Sequence, residues 1–324
     1  MKSTFNTFGL LFFTIFIISS CDSSTDSTTP TPTPSTFEFL FIKSPPTVSG
    51  VSTNWNLKNE LTAGAGFSLP TNLRIDAISS GPSFGSILIN QCSAYDKVNK
   101  KYVVSSGERI VIYDVSTTTP TPPTIYMVNG TQAIEFVNGR CFMIHNNILK
   151  EYNISTGTVV SSFTPITLAA GNVSNLTFYL NNLYVISGSS LYTIDTTGSG
   201  SITSTYTLSG NSYEGLEYIN STGCPNQLYA VKKLATGANL IKIVNGIETV
   251  FSTVTLPHPI YGKYSSALDY TTEFYYLNGA DIALNGTLNG TTTTLVIDLT
   301  PTSGILTATG LNSSDYLFGL QLKD

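Results

Sequence analysis

Short apolar runs, each carrying an aromatic, recur through the middle of the chain: Lys101-Tyr102-Val103-Val104, Cys141-Phe142-Met143-Ile144, Leu183-Tyr184-Val185-Ile186, Leu228-Tyr229-Ala230-Val231 and Phe274-Tyr275-Tyr276-Leu277. Their aromatics stand 40, 42, 45 and 46 residues apart. A second run follows each, often ending in Asp or Asn, as in Val111-Ile112-Tyr113-Asp114 and Leu149-Lys150-Glu151-Tyr152-Asn153. Turn signals follow most of these second runs, at Ser155-Thr156-Gly157, Thr197-Gly198, Asn245-Gly246 and Ser303-Gly304. Glycine there takes the positive φ of a tight hairpin, so the chain turns back into another strand. A further apolar segment precedes each aromatic run, at Ala94-Tyr95, Ile134-Glu135-Phe136, Leu176-Thr177-Phe178, Leu216-Glu217-Tyr218 and Leu268-Asp269-Tyr270. No segment keeps a helical period of 3.6, so helices are expected to be nearly absent.

A repeating unit of four antiparallel strands in 40 to 50 residues is the blade of a β-propeller. The expected class is therefore all-β, with five blades between Ser86 and Gly310. A sixth is assembled from both termini: Tyr316 to Leu322 supplies its first strand, and Phe37 to Lys43 with Leu73 to Ile78 supply partners. Closing one sheet with both chain ends leaves no open edge around the ring. A seven-bladed ring is the alternative count, and a parallel β-helix, whose repeats are shorter and more regular, is the rival fold. The form Leu191-Tyr192-Thr193-Ile194-Asp195 followed by a turn glycine resembles the repeats of bacterial YVTN-like and quinoprotein-like propellers. That resemblance implies the fold and carries no activity with it.

The N-terminus follows a different pattern. Lys2 precedes an apolar run from Phe8 to Ile18, which ends in Ile18-Ser19-Ser20-Cys21. The run is too short to span a bilayer and has the form of a signal-peptide core. Its ending resembles a lipobox, the bacterial lipoprotein signal, which implies acylation of Cys21 and cleavage before it. A secreted eukaryotic protein with an ordinary Cys21 is the competing reading. From Asp22 to Thr36 the chain reads DSSTDSTTPTPTPST and has no apolar side chain to bury. It is expected to be a solvated tether reaching roughly 50 Å at about 3.1 Å per residue. The expected organisation is a signal peptide at 1–20, a lipidated cysteine and tether at 21–36, and one propeller domain at 37–324.

Composition agrees with strands and turns, because only 11% of the chain is charged. Its net charge is −5, and no basic cluster is present to hold phosphates, which argues against a nucleic-acid partner. Cys92, Cys141 and Cys224 remain besides Cys21, so they allow one disulfide and leave at least one thiol unpaired by it. Cys141, inside an apolar run, has the setting of a buried free thiol. No CxxC spacing supports zinc or redox chemistry.

Gly81-Pro82-Ser83-Phe84-Gly85 fits the hydrolase pattern G-x-S-x-G, but Pro82 precedes the serine and strand-like residues follow it, which favours a plain loop. His145 ends an apolar run and His258 lies between two prolines, so both are expected to be structural. Sialidase-type Asp boxes, Trp-Asp repeat endings and kelch Gly-Gly pairs are absent.

Aligning the first strands on their aromatics puts Ala94, Glu135, Thr177, Glu217 and Asp269 at one level. First strands line a propeller channel, so Glu135, Glu217 and Asp269 are the candidate ligands of one cation, and oxygen-only ligation suits Ca²⁺. Glu214 joins them because some metal-dependent propeller esterases and lactonases carry a Glu-Gly pair before a first strand. The competing account makes these acids solvated channel residues.

The expected function is a lipid-anchored binding module of a bacterial cell envelope, at the outer membrane on its periplasmic or surface face. Its expected partners are the membrane, through the lipid, and an envelope protein or glycan. The alternative is a Ca-type propeller hydrolase such as a lactonase or esterase, and a purely structural envelope protein is a third reading.

Overall fold

The computed structural model describes residues 36–44, 56–63, 66–67, 91–106, 109–116, 121–128, 130–235, 237–252, 264–270, 273–279, 293–299, 305–308 and 316–323. Cys21 and the tether before Thr36, Leu73 to Ile78, Gly81 to Gly85 and His258 lie outside them.

The described elements are all strands. The first three are β1 (Thr36–Ser44), β2 (Asn56–Ala63) and β3 (Gly66–Phe67). A second group comprises β4 (Gln91–Asp96), β5 (Lys101–Ser106), β6 (Arg109–Asp114) and β7 (Thr124–Met127). Next come β8 (Thr131–Val137), β9 (Arg140–His145), β10 (Ile148–Asn153), β11 (Thr158–Val159) and β12 (Ile166–Thr167). The fourth group is β13 (Thr177–Tyr179), β14 (Asn182–Ser187), β15 (Ser190–Asp195) and β16 (Ser201–Thr207). The fifth is β17 (Tyr213–Ile219), β18 (Gln227–Leu234), β19 (Gly237–Val244) and β20 (Ile247–Ser252). The last are β21 (Tyr264–Asp269), β22 (Phe274–Gly279), β23 (Thr293–Asp298), β24 (Ile305–Ala308) and β25 (Tyr316–Lys323).

These strands form six sheets among the described residues. Blade I has the order β25-β1-β2-β3, so the C-terminal strand is its first and the N-terminal strands complete it. Blades II, IV, V and VI are simple meanders, β4 to β7, β13 to β16, β17 to β20 and β21 to β24. Blade III runs β8 to β11, with β12 also on β10. The first strands adjoin one another in a closed circuit, β25 to β4, β8, β13, β17, β21 and back to β25. Among the described residues these sheets make a β-propeller of six blades. β25 pairs antiparallel with β1, from Glu38 opposite Lys323 to Ser44 opposite Tyr316, and β2 is the next strand.

The core lies in layers between neighbouring sheets. Ala94, Val103 and Ile112 of blade II pack against Ile134, Phe136 and Met143 of blade III. Phe142 and Ile144, on the same strand as Met143, belong to the next layer, with Leu183, Val185 and Ile194 of blade IV. Each central strand thus buries both faces, which is why Tyr102-Val103-Val104 and Cys141 to Ile144 are unbroken apolar runs. Cys141 is a buried free thiol in the layer between blades II and III, and Cys92 is buried in the same layer. Burial pushes the Cys141 thiol well above its ordinary pKa, as expected of an inert core cysteine.

Candidate functional site

The six first strands enclose a cavity of about 70 Å³. Each contributes to its wall, through Tyr95, Glu135, Thr177, Glu217, Leu268 and Leu322. Five of these occupy one structural level, because each pairs with the aromatic of its second strand. Tyr95 faces Tyr102, Glu135 faces Phe142, Thr177 faces Tyr184, Glu217 faces Tyr229 and Leu268 faces Tyr275.

Strand register changes the composition of that level. In blade II the level is held by Tyr95, while Ala94 is fully buried in the layer behind it. In blade VI it is held by Leu268, and Asp269 stands one position further on, opposite Phe274. The side chain of Asp269 lies outside the described residues. Two acids therefore share the level. Among the described residues no group of three His, Cys, Asp or Glu side chains is arranged to hold a metal ion.

Glu135 and Glu217 both keep partial contact with the cavity, yet the ring of blades shields them from bulk water. The Glu135 carboxylate accepts a hydrogen bond from the Phe136 N–H at 2.8 Å. Ser266 Oγ, on blade VI, donates to Glu217 Oε1 at 2.7 Å. Burial pushes the Glu135 carboxyl up to about 8, opposed by the Phe136 N–H and Lys97, and assisted by the negative charge of Glu217. Glu217 is raised to about 7 by burial, against the lowering effect of the Ser266 hydroxyl. A carboxyl pair at these values exchanges protons near neutrality, so it can accept a cation by releasing protons or donate hydrogen bonds to a neutral ligand.

Glu214 takes a different place. The β17 ladder is irregular between Glu214 and Glu217, where Gly215 adopts a φ of +59°. Tyr275 of blade VI donates its hydroxyl proton to the Gly215 carbonyl, and little room for a side chain remains there. This bulge turns Glu214 away from the cavity level, and its carboxylate meets Lys233 Nζ at 3.0 Å in a buried ion pair. The same irregularity is held from blade IV: Asn175 donates to the Leu216 carbonyl at 2.8 Å and accepts from the Leu216 N–H at 2.5 Å.

Several wall residues carried no signal in the sequence. Lys97 follows β4 and reaches the cavity from a hairpin, and Asn175 precedes the third first strand. Gln321 on β25 donates to the carbonyl and hydroxyl of Ser93 at 3.1 and 3.2 Å, linking the C-terminal strand to blade II. The β17 bulge was the one feature with a trace in the sequence, the Glu-Gly pair at 214 and 215.

No family model matches this sequence, and no curated protein matches it. Solved structures are similar at low identity. The Pan2 WD40 domain of Neurospora crassa is 12% identical with a TM-score of 0.48, over 67% of this chain and 64% of that one. The match thus spans less than two thirds of the Neurospora domain. The Dos1 propeller is 11% identical with a TM-score of 0.46, over 69% of this chain and 62% of that one. A protein from Lactobacillus plantarum is 10% identical with a TM-score of 0.47, over 85% of this chain and 81% of that one.

Proposed function

We propose that this protein is a binding module held at a bacterial cell envelope by lipid on Cys21, at the outer membrane, with its ligand taken in the central cavity of the propeller. The observation that carries the reading is the central cavity, where polar groups from several blades converge on one small space. A concave site with a few convergent polar groups is the usual form of a ligand pocket. The ligand class is a protein, glycan or other envelope component bearing a cationic group that meets Glu135 and Glu217. The Lys97 side chain at the same wall offers a counterpart for an anionic group.

A second reading, a Ca-type lactonase or esterase, is favoured by the Glu135 and Glu217 side chains lining one cavity. Melting curves with Ca²⁺, Mg²⁺ or Mn²⁺ separate the two, because a cation that binds only the folded protein raises its melting temperature. A rise that Glu217→Gln removes supports the cation site, and no shift with any of the three removes the hydrolase. Pull-down from envelope extracts tests the binding reading directly. Recovery of the same components by the parent and by a Glu135→Gln, Glu217→Gln double variant would end the pocket assignment.

A further inference from the structure

Leu180 combines a backbone cost with an exposed apolar side chain. It sits at the tip of the hairpin between β13 and β14 with a φ of +56°, a region that favours glycine and asparagine. Its side chain is also 66% exposed. In the preceding blade the corresponding tip residue is Asn138, with a φ of +52°. The chain thus uses the unstrained residue at one tip and an apolar one at the next.

First strands run the same way around the ring, so the hairpins that follow them share one face. Val98, at the tip after β4, is also 66% exposed, and Tyr270, after β21, is 45% exposed. The tips form an arc. Val98 lies against Gly139 of blade III, and Asn138 Nδ2 donates to Asn181 Oδ1 of blade IV at 3.2 Å.

In the blade II hairpin the lysines face outward. Lys97 is exposed and Lys100 half-exposed, with its ammonium 6.0 Å from the centre of the Tyr95 ring. Two nearby acids turn inward, whereas Asp195, opposite Asn182 beside the Leu180 tip, stays partly exposed. Asp96 is fully buried and accepts hydrogen bonds from the N–H groups of Val98 and Asn99. Glu273 lies beside Gly223, with the Cys224 sulfur 3.8 Å from its carboxylate. An acidic protein therefore presents two lysines, Lys97 and Lys100, beside the projecting Val98 tip.

We propose that the hairpin tips of blades II, III, IV and VI form a docking surface for a lipid bilayer with anionic headgroups, into which Val98 and Leu180 insert. Projecting tips, rather than a groove, suit a deformable lipid surface. Lys97 and Lys100, flanking Val98, meet the headgroup charge, and Tyr270 suits the interface. The inference stands apart from acylation, since a protein lacking the Cys21 lipid keeps the surface.

The test uses the full chain carrying Cys21→Ala and co-sedimentation with vesicles of phosphatidylcholine alone or mixed with phosphatidylglycerol. Binding to the mixed vesicles is expected, weakened by salt. Leu180→Asn is expected to lower vesicle affinity about tenfold while melting at or above the parent temperature, because asparagine relieves the backbone strain. Lys97→Gln with Lys100→Gln is expected to remove most of the salt dependence. Absence of binding to both vesicle types, or equal binding by Leu180→Asn, would overturn the proposal. So would binding to native membrane vesicles alone that protease treatment of those vesicles abolishes, which would assign the surface to a protein partner.

Discussion

The ring of Tyr126, on the fourth strand of blade II, lies over Gly157 in the outer hairpin of blade III, and its hydroxyl donates to the Ser155 carbonyl at 2.6 Å. The same joint recurs twice. Phe163 covers Gly200 of blade IV, and Tyr206 covers Gly246 of blade V. Each glycine has a positive φ, at +71°, +79° and +78°. An aromatic of one blade thus locks the hairpin of the next, and a side chain at the glycine would meet both backbone strain and the ring.

Gly246→Ala is therefore expected to destabilise the domain by about 1–3 kcal/mol in denaturant unfolding. Gly198 provides the contrast, since it has a φ of +57° but nothing within 4 Å of an added side chain. Gly198→Asn is expected to cost only a few tenths of a kcal/mol, asparagine being tolerated in the left-handed region. Equal losses for the two variants would remove the ring from the explanation.

Ring closure depends on β25. Deleting Tyr316 to Asp324 removes the strand that joins blade I to both blade II and blade VI. The expected outcome is aggregation rather than a small loss of stability, because an edge of β1 and the inner faces of two blades become exposed. Light scattering checks this, and a truncated monomer melting near the parent temperature would contradict it.

The channel acids give the domain a pH dependence of known sign. Folding raises Glu135 from 4.5 to about 8 and Glu217 from 4.5 to about 7, so the folded protein holds these protons more tightly than the unfolded chain. Stability is full below the ordinary carboxylate range and falls as pH rises through the folded values. The melting temperature is expected to decline between about pH 5 and about pH 8. Glu135→Gln should flatten the upper part of that decline and melt higher than the parent at about pH 8. A bound cation reverses the effect, because each lost carboxylate then removes a ligand.

Acylation is tested separately from the fold. Cys21→Ala is expected to move the protein from the membrane to the soluble fraction when cells are fractionated at high salt, which also weakens the hairpin-tip contact with anionic lipid. Protease shaving of whole cells carrying the parent protein distinguishes a surface location, where the domain is cut, from a periplasmic one, where it is protected.

The sequence by itself determined the strands, the blade repeat and the joining of the two ends. Those features depend on local pattern: aromatic runs such as Cys141 to Ile144, the glycines of tight turns, and a last strand at Tyr316 to Leu322 with apolar partners near the N-terminus. Tertiary structure alone decided which side chains meet. Ala94 and Asp269 align with Glu135 and Glu217 when first strands are matched on their own aromatics, but hydrogen-bond register puts Tyr95 and Leu268 at that level instead. Glu214 and Glu217 are three residues apart in sequence, yet a bulge at Gly215 leaves one paired with Lys233 and the other in the channel. A shift of one residue in a strand moves a side chain to the opposite face, and that shift is set by turns, bulges and the neighbouring blade, none of which the local run of apolar residues specifies.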